Sequence, residues 1–165
     1  MGACQQMKVK GVIFEDFVNY RLPCMVIEMP VCSFKCDHEC GKPVCQNGLL
    51  ASSPTRDFAI ERIIEEYLRT PIARAVVFQG LEPFDTFDDL YDFIFEFRNC
   101  YSLKDDIIIY TGYNKNEIEN YLIQLKQFSN IIVKFGRYVP NCEQHYDEIL
   151  GVKLASPNQY AERIS

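Results

Sequence analysis

Four short apolar runs restrict this chain more than any other feature: Met25-Val-Ile27, Ala75-Val-Val-Phe78, Ile107-Ile-Ile-Tyr110 and Ile131-Ile-Val133. Such β-branched runs, lacking polar alternation, are what strands buried on both faces require. Three stretches with helical spacing lie between them. Ile60, Ile63, Ile64, Tyr67 and Leu68 form the first stripe, with Asp57 expected as its N-cap. Leu90, Phe93, Ile94 and Phe97 form the second behind Thr86, with Asp88 and Asp89 at the positive end of the helix. Ile118, Tyr121, Leu122 and Leu125 form the third behind Asn114, with Glu117 placed for a capping box. A β-α-β-α-β-α-β order implies a mostly parallel sheet with right-handed crossovers. It belongs either to a doubly wound open sheet or to a portion of a (β/α) barrel. A full barrel needs about 250 residues, more than the 165 present. In both architectures, binding groups gather beyond the carboxyl ends of the strands.

At those ends stand Phe78-Gln-Gly-Leu-Glu-Pro-Phe84, Tyr110-Thr-Gly-Tyr113 and Lys134-Phe-Gly-Arg137. Each carries a glycine, which lets backbone approach a ligand closely. The first strand runs instead into a loop holding Cys32, Cys36, Cys40 and Cys45, half of the chain's 8 cysteines within residues 32–45. Composition limits what that loop is for. The charge of −6 and the lack of a basic run exclude a nucleic-acid surface. No apolar stretch approaches the roughly 18 residues of a membrane helix. The first twenty residues carry no secretory pattern, and Met1-Gly2 lacks the Ser or Thr at position 6 that myristoylation needs. A cytoplasmic, single-domain protein spanning 1–165 is expected, and in that compartment stable disulfides are not. The Cys loop, residues 32–48, is therefore expected to bind metal. Cys4, Cys24, Cys100 and Cys142 have no metal spacing and are expected as small buried hydrophobes. His38 and His145 have no acid–base partner nearby in sequence. Lys134 and Arg137 are placed to steady an anionic group.

Several of these segments, in order, resemble a known family. The Cys-x-x-x-Cys opening after the first strand and Gly80-Leu-Glu-Pro83 after the second are similar to radical S-adenosylmethionine enzymes. More narrowly, Cys45-Gln-Asn-Gly48, Tyr110-Thr-Gly112 and Ala155-Ser-Pro-Asn-Gln159 resemble the activating proteins of anaerobic ribonucleotide reductases, a glycyl-radical activase group. The resemblance runs from about Asp16 to Ile164. It departs before the first strand, where Val18-Asn-Tyr-Arg-Leu-Pro23 lacks the family's glycines and offers Arg21 for its arginine.

The resemblance implies a partial (β/α) barrel of the radical S-adenosylmethionine type, with a mostly parallel sheet and helices outside. Three thiolates would hold a [4Fe–4S] cluster, and the remaining iron would bind S-adenosylmethionine. Gly80, Glu82, Pro83 and Thr111 would form the cofactor site, Glu82 facing the cationic amino group. The substrate would be a glycine of a large partner, an anaerobic ribonucleotide reductase, with flavodoxin or ferredoxin as electron donor. The family's Cys-x3-Cys-x2-Cys spacing is not kept. Either Cys32, Cys36 and Cys40 are ligands, or Cys32, Cys36 and Cys45 are, with residues 37–44 inserted; Gln46-Asn47 favours the second. If all four bind, the open iron disappears, leaving an electron-transfer cluster or a structural zinc site with His38 as an alternate ligand. A third alternative keeps the radical chemistry but acts on a small molecule.

Overall fold

The computed structural model describes residues 4–165; Met1 to Ala3, with the Gly2 considered for acylation, lie outside the described residues. The four apolar runs form β3 (Cys24–Met29), β5 (Ala75–Gly80), β6 (Asp106–Tyr110) and β7 (Ile131–Phe135). They pair in parallel in the order β3-β5-β6-β7. Two further strands, β2 (Gly11–Asp16) and β10 (Tyr160–Arg163), pair antiparallel on the two outer edges, giving a six-stranded mixed sheet that does not close. The sequence pattern did not announce these edges. β2 leaves Ile13 and Phe14 exposed, and a half-solvated edge strand carries no continuous apolar run.

All three long helices pack on one face. α3 (Ile60–Arg69), α4 (Phe87–Phe95) and α5 (Glu119–Leu125) bury Ile60, Ile64, Leu90, Phe93, Leu122 and Leu125 against Met25, Ile27, Val76, Phe78, Ile107 and Val133. The alternate residues of the same strands, Val26, Val77, Ile108 and Ile132, face the other way. There they meet Tyr20, Leu150 and Leu154, the last on a short hairpin of β8 (His145–Asp147) and β9 (Val152–Leu154). The chain is thus a mixed α/β fold with helices on one side of the sheet. Among the described residues no helix is long and apolar enough to cross a membrane.

Helix starts differ in detail from their sequence signals. Asp57 is not an N-cap: it lies in β4 (Arg56–Ala59), which pairs with β1 (Gln6–Val9), and α3 begins behind Ala59. Tertiary pairing has taken the residue that local preference would have used as a cap. Leu68 is half exposed rather than part of the stripe. Thr86 does occupy the N-cap position of α4, without a side-chain hydrogen bond. The Asn114–Glu117 capping box is present, but it closes a 3-10 turn, Lys115–Glu117, ahead of α5. α4 runs on through a π-turn, Glu96–Cys100, whose buried Arg98 donates to the carbonyls of Leu103, Asp105 and Ser129.

Gly80 shows how closely the strand ends are packed. Its φ is 92°, and a β-carbon there would stand 2.8 Å from Leu50 Cδ2 and 3.2 Å from the Glu28 Cα. Gly80→Ala is expected to destabilise the fold by about 2–4 kcal/mol, from the left-handed backbone and the clash together. Urea unfolding at constant m-value measures it.

Candidate metal centre

After β3 the chain turns through Phe34, itself at a φ of 53°, into α1 (Lys35–Cys40), which Gly41 ends in a left-handed cap. Asp37 lies in the first turn of α1. Its Oδ1 accepts the backbone N–H groups of Val44 at 2.8 Å and Cys45 at 2.7 Å. One carboxylate thereby folds residues 37–45 into a closed excursion and returns Cys45 towards Cys32 and Cys36. The chain leaves through Gln46, whose amide donates to the Tyr138 hydroxyl at 3.1 Å, and Asn47, whose amide donates to the Gly80 carbonyl. α2 (Gly48–Ser52) follows.

A cavity of about 440 Å³ opens beyond the carboxyl ends of the four parallel strands. Cys32, Cys36, Cys45, Gly80, Glu82 and Thr111 line it. Cys40 and Pro83 do not: Cys40 ends α1, and Pro83 opens a buried 3-10 turn, Pro83–Thr86. Each of the three lining thiols accepts a backbone amide. Phe34 N–H reaches Cys32 Sγ at 3.2 Å, Asn47 N–H reaches Cys45 Sγ at 3.4 Å, and the Tyr138 amide serves Cys36. Amides aimed at sulfur favour the thiolate and set the potential of a bound cluster. Burial pushes the other way, raising Cys32 to about 12 and Cys36 in the same direction. Metal binding at these thiols therefore releases protons. The thiols face a shared space rather than one point: among the described residues, no three His, Cys, Asp or Glu side chains converge on a single-ion site.

Glu82 is buried, and three donors hold its carboxylate. Oε1 accepts from the Thr111 hydroxyl at 2.7 Å and from Phe84 N–H at 3.1 Å; Oε2 accepts from Gly112 N–H at 2.9 Å. Burial raises its pKa to about 7, while these same hydrogen bonds oppose the rise. The Thr111 hydroxyl also accepts from Tyr113 N–H at 3.0 Å, so it caps the turn after β6 and lines the cavity as well. Gly112 fits between: a β-carbon there would lie 3.7 Å from both Cys36 Sγ and Glu82 Oε2. Glu82 thus ties the ends of β5 and β6 together behind the thiols.

The two basic residues at the end of β7, Lys134 within it and Arg137 just beyond, are both buried and have different tasks. Arg137 makes a two-pronged ion pair with Glu117, both contacts at 2.6 Å, and a third with Glu39 of α1 at 2.7 Å. It clamps the Cys loop onto the turn before α5. Lys134 lines the cavity and, among the described residues, is hydrogen-bonded to no carboxylate; its Nζ donates to the carbonyls of Gly136 at 3.0 Å and Thr111 at 3.4 Å. The C-terminal Ala155–Gln159 segment closes this side: Gln159 accepts from Ala155 N–H at 3.0 Å and donates to the Gly136 carbonyl at 3.3 Å.

The Arg137–Glu117 pair has a pH signature. The Arg137 guanidinium holds Glu117 down to about 2, from an ordinary 4.5. A depressed carboxylate contributes stability that is complete above pH 4.5 and is lost as pH falls from there towards 2. Glu117→Gln is expected to cost about 2 kcal/mol at pH 7, and the difference from the parent should shrink progressively below pH 4.5. Thermal melts across pH 3 to 7 check this.

Sequence reading named the thiols, Gly80, Glu82 and Thr111. It missed Asp37, whose only signal was its place between two cysteines, and Tyr138, whose backbone amide and hydroxyl both serve the loop. Arg21 packs against Gly151, apart from the cavity lining. Cys24 is buried as expected, whereas Cys4 and Cys100 are exposed. Compared with known proteins, residues 24–156 match a family model described as a 4Fe-4S single cluster domain. No curated protein and no solved structure matches the chain.

Proposed function

The chain belongs to the family of 4Fe-4S single cluster domains, and on that premise we propose that it is a radical S-adenosylmethionine activase. The observation that carries this reading is the grouping of Cys32, Cys36 and Cys45, without Cys40, around one cavity at the carboxyl ends of the parallel strands. Three thiolates leave one corner of a four-iron cluster free for a small-molecule ligand. Cys32, Cys36 and Cys45 would hold the cluster, which would supply one-electron cleavage of S-adenosylmethionine to methionine and a 5′-deoxyadenosyl radical able to take hydrogen from a glycine.

The protein's own part is to bind, orient and exclude. Asp37 and Arg137 fix the loop that presents the thiols. Glu82 has a further acceptor position: a carboxylate offers about four lone-pair sites, and three are engaged. The fourth suits the ammonium of a methionine moiety. Gly80 allows the backbone of β5 to pass close by, Pro83 fixes the turn that follows Glu82, and Thr111 steadies the Glu82 carboxylate. Helices on one face and a cavity reaching onto the other suit a partial (β/α) barrel.

A protein substrate fits the rim. Val18, Leu49 and Val139 are exposed, each next in sequence to the cavity-lining Asn19, Leu50 and Tyr138. Apolar side chains gathered near a mouth favour a macromolecular partner, here a glycyl-radical enzyme such as an anaerobic ribonucleotide reductase, with flavodoxin or ferredoxin as electron donor. The test is anaerobic reconstitution with iron and sulfide, reduction with dithionite, and chromatography for 5′-deoxyadenosine. S-adenosylmethionine should alter the paramagnetic resonance signal of the reduced cluster and yield the product. An unaltered signal with no product would indicate a closed electron-transfer cluster and overturn the reading.

A further inference from the structure

Among the described residues, Lys134 stands out as a buried ammonium with no carboxylate hydrogen-bonded to it. The side chain is 7% exposed, and two backbone carbonyls hold its Nζ. Glu82, the carboxylate that shares the cavity wall behind the thiols, accepts from Thr111, Phe84 and Gly112 rather than from Lys134. Arg137, by contrast, is neutralised by Glu117 and Glu39. Taking an ammonium out of water costs several kcal/mol unless a counter-charge is near. The Glu82 carboxylate acts on this ammonium through space, without a hydrogen bond, and so does Cys36, which lines the same cavity.

We infer that Lys134 is the counter-ion of the iron–sulfur cluster and sets its reduction potential. This builds on the cluster site of the proposed function. A cluster that accepts one electron from an external one-electron donor carries one more negative charge than before. A fixed positive charge in a poorly solvated wall stabilises the reduced form more than the oxidised form, because the interaction grows with the charge it faces. Lys134 therefore makes the cluster easier to reduce. The two carbonyl bonds hold the ammonium in place and supply no charge of their own, so a neutral amide at 134 keeps the donors and removes the effect.

The experiment is a redox titration of the reconstituted protein, followed by the paramagnetic signal of the reduced cluster, with no S-adenosylmethionine present. Lys134→Gln should assemble the same iron and sulfide content, with a midpoint lower by at least about 59 mV, a tenfold fall in the reduced-to-oxidised ratio at fixed poise. Lys134→Met should shift in the same direction, and Lys134→Arg should recover most of the parental midpoint. Unchanged midpoints in both neutral variants overturn the inference, as does an arginine variant shifted as far as the glutamine one. Should the neutral variants fail to hold a cluster, retention in Lys134→Arg alone supports the charge, and loss in all three assigns Lys134 to packing. The midpoint does not depend on S-adenosylmethionine chemistry. A chain that holds a cluster and never yields 5′-deoxyadenosine thus defeats the activase reading while leaving this inference open to the same titration.

Discussion

Cys45→Ala is expected to lose the cluster and, on the activase reading, all formation of 5′-deoxyadenosine, whereas Cys40→Ala should retain both near parental levels. Cys32→Ala and Cys36→Ala behave as Cys45→Ala does. The expectation follows from placement: Cys45 lines the cavity with the other two thiols and accepts the Asn47 amide, while Cys40 ends a helix outside it. Changes to groups that merely support metal ligands cost about 10–100-fold in affinity or activity. Loss of a ligand itself should exceed that range. Iron and sulfide analysis, absorbance of the brown cluster and product chromatography are read on the same four anaerobic samples. Activity surviving in Cys45→Ala but lost in Cys40→Ala would transfer the third ligand to Cys40 and recast the excursion of residues 37–45 as incidental.

Glu82→Ala is expected to destabilise the folded chain by about 3–5 kcal/mol and to impair cluster retention and cofactor binding together. The carboxylate is the shared acceptor for Phe84 N–H, Gly112 N–H and the Thr111 hydroxyl in a buried setting. Each buried donor left without a partner costs about 1–3 kcal/mol, offset in part where water enters the gap. Sequence alone suggests a narrower result, weaker cofactor binding with the cluster intact, because a Gly-x-Glu-Pro motif discloses a ligand contact but not what else the glutamate holds. Glu82→Gln separates the two roles. It keeps the shape and the acceptor oxygen facing Thr111 and Phe84, loses the one hydrogen bond from Gly112 N–H because an amide NH2 cannot accept it, and removes the charge offered to an ammonium. Chemical unfolding reports the structural part, and equilibrium binding of S-adenosylmethionine to the reconstituted protein reports the other. If Glu82→Ala unfolds at the parental denaturant midpoint, the bridge between β5 and β6 is not what holds these strand ends.

The four parallel strands and the buried stripes of α3, α4 and α5 were legible in the chain because burial on both faces, or along one helical face, imprints a period on the residues themselves. The thiols, Gly80, Glu82 and Thr111 were legible for a related reason: chemistry at strand ends demands particular residue types at particular offsets. β2, β4, β8, β9 and β10 were not. They are partly solvated, all but β2 are short, and they are defined by what they pair with. Asp57 illustrates the point, since a good local cap became a strand residue once β1 lay beside it.

By itself, then, the sequence determined the alternating βα order, the four-cysteine loop and the shortlist of side chains around it, since each depends on local spacing. Only the tertiary structure decided which thiols share a cavity, that Glu82 binds two strand ends together, and that Arg137 is ion-paired while backbone carbonyls hold Lys134. Those outcomes depend on groups far apart in the chain, Arg137 with Glu39 and Glu82 with Gly112. No spacing rule encodes such pairs; they exist once the sheet has fixed its strand order and brought the loops to one rim.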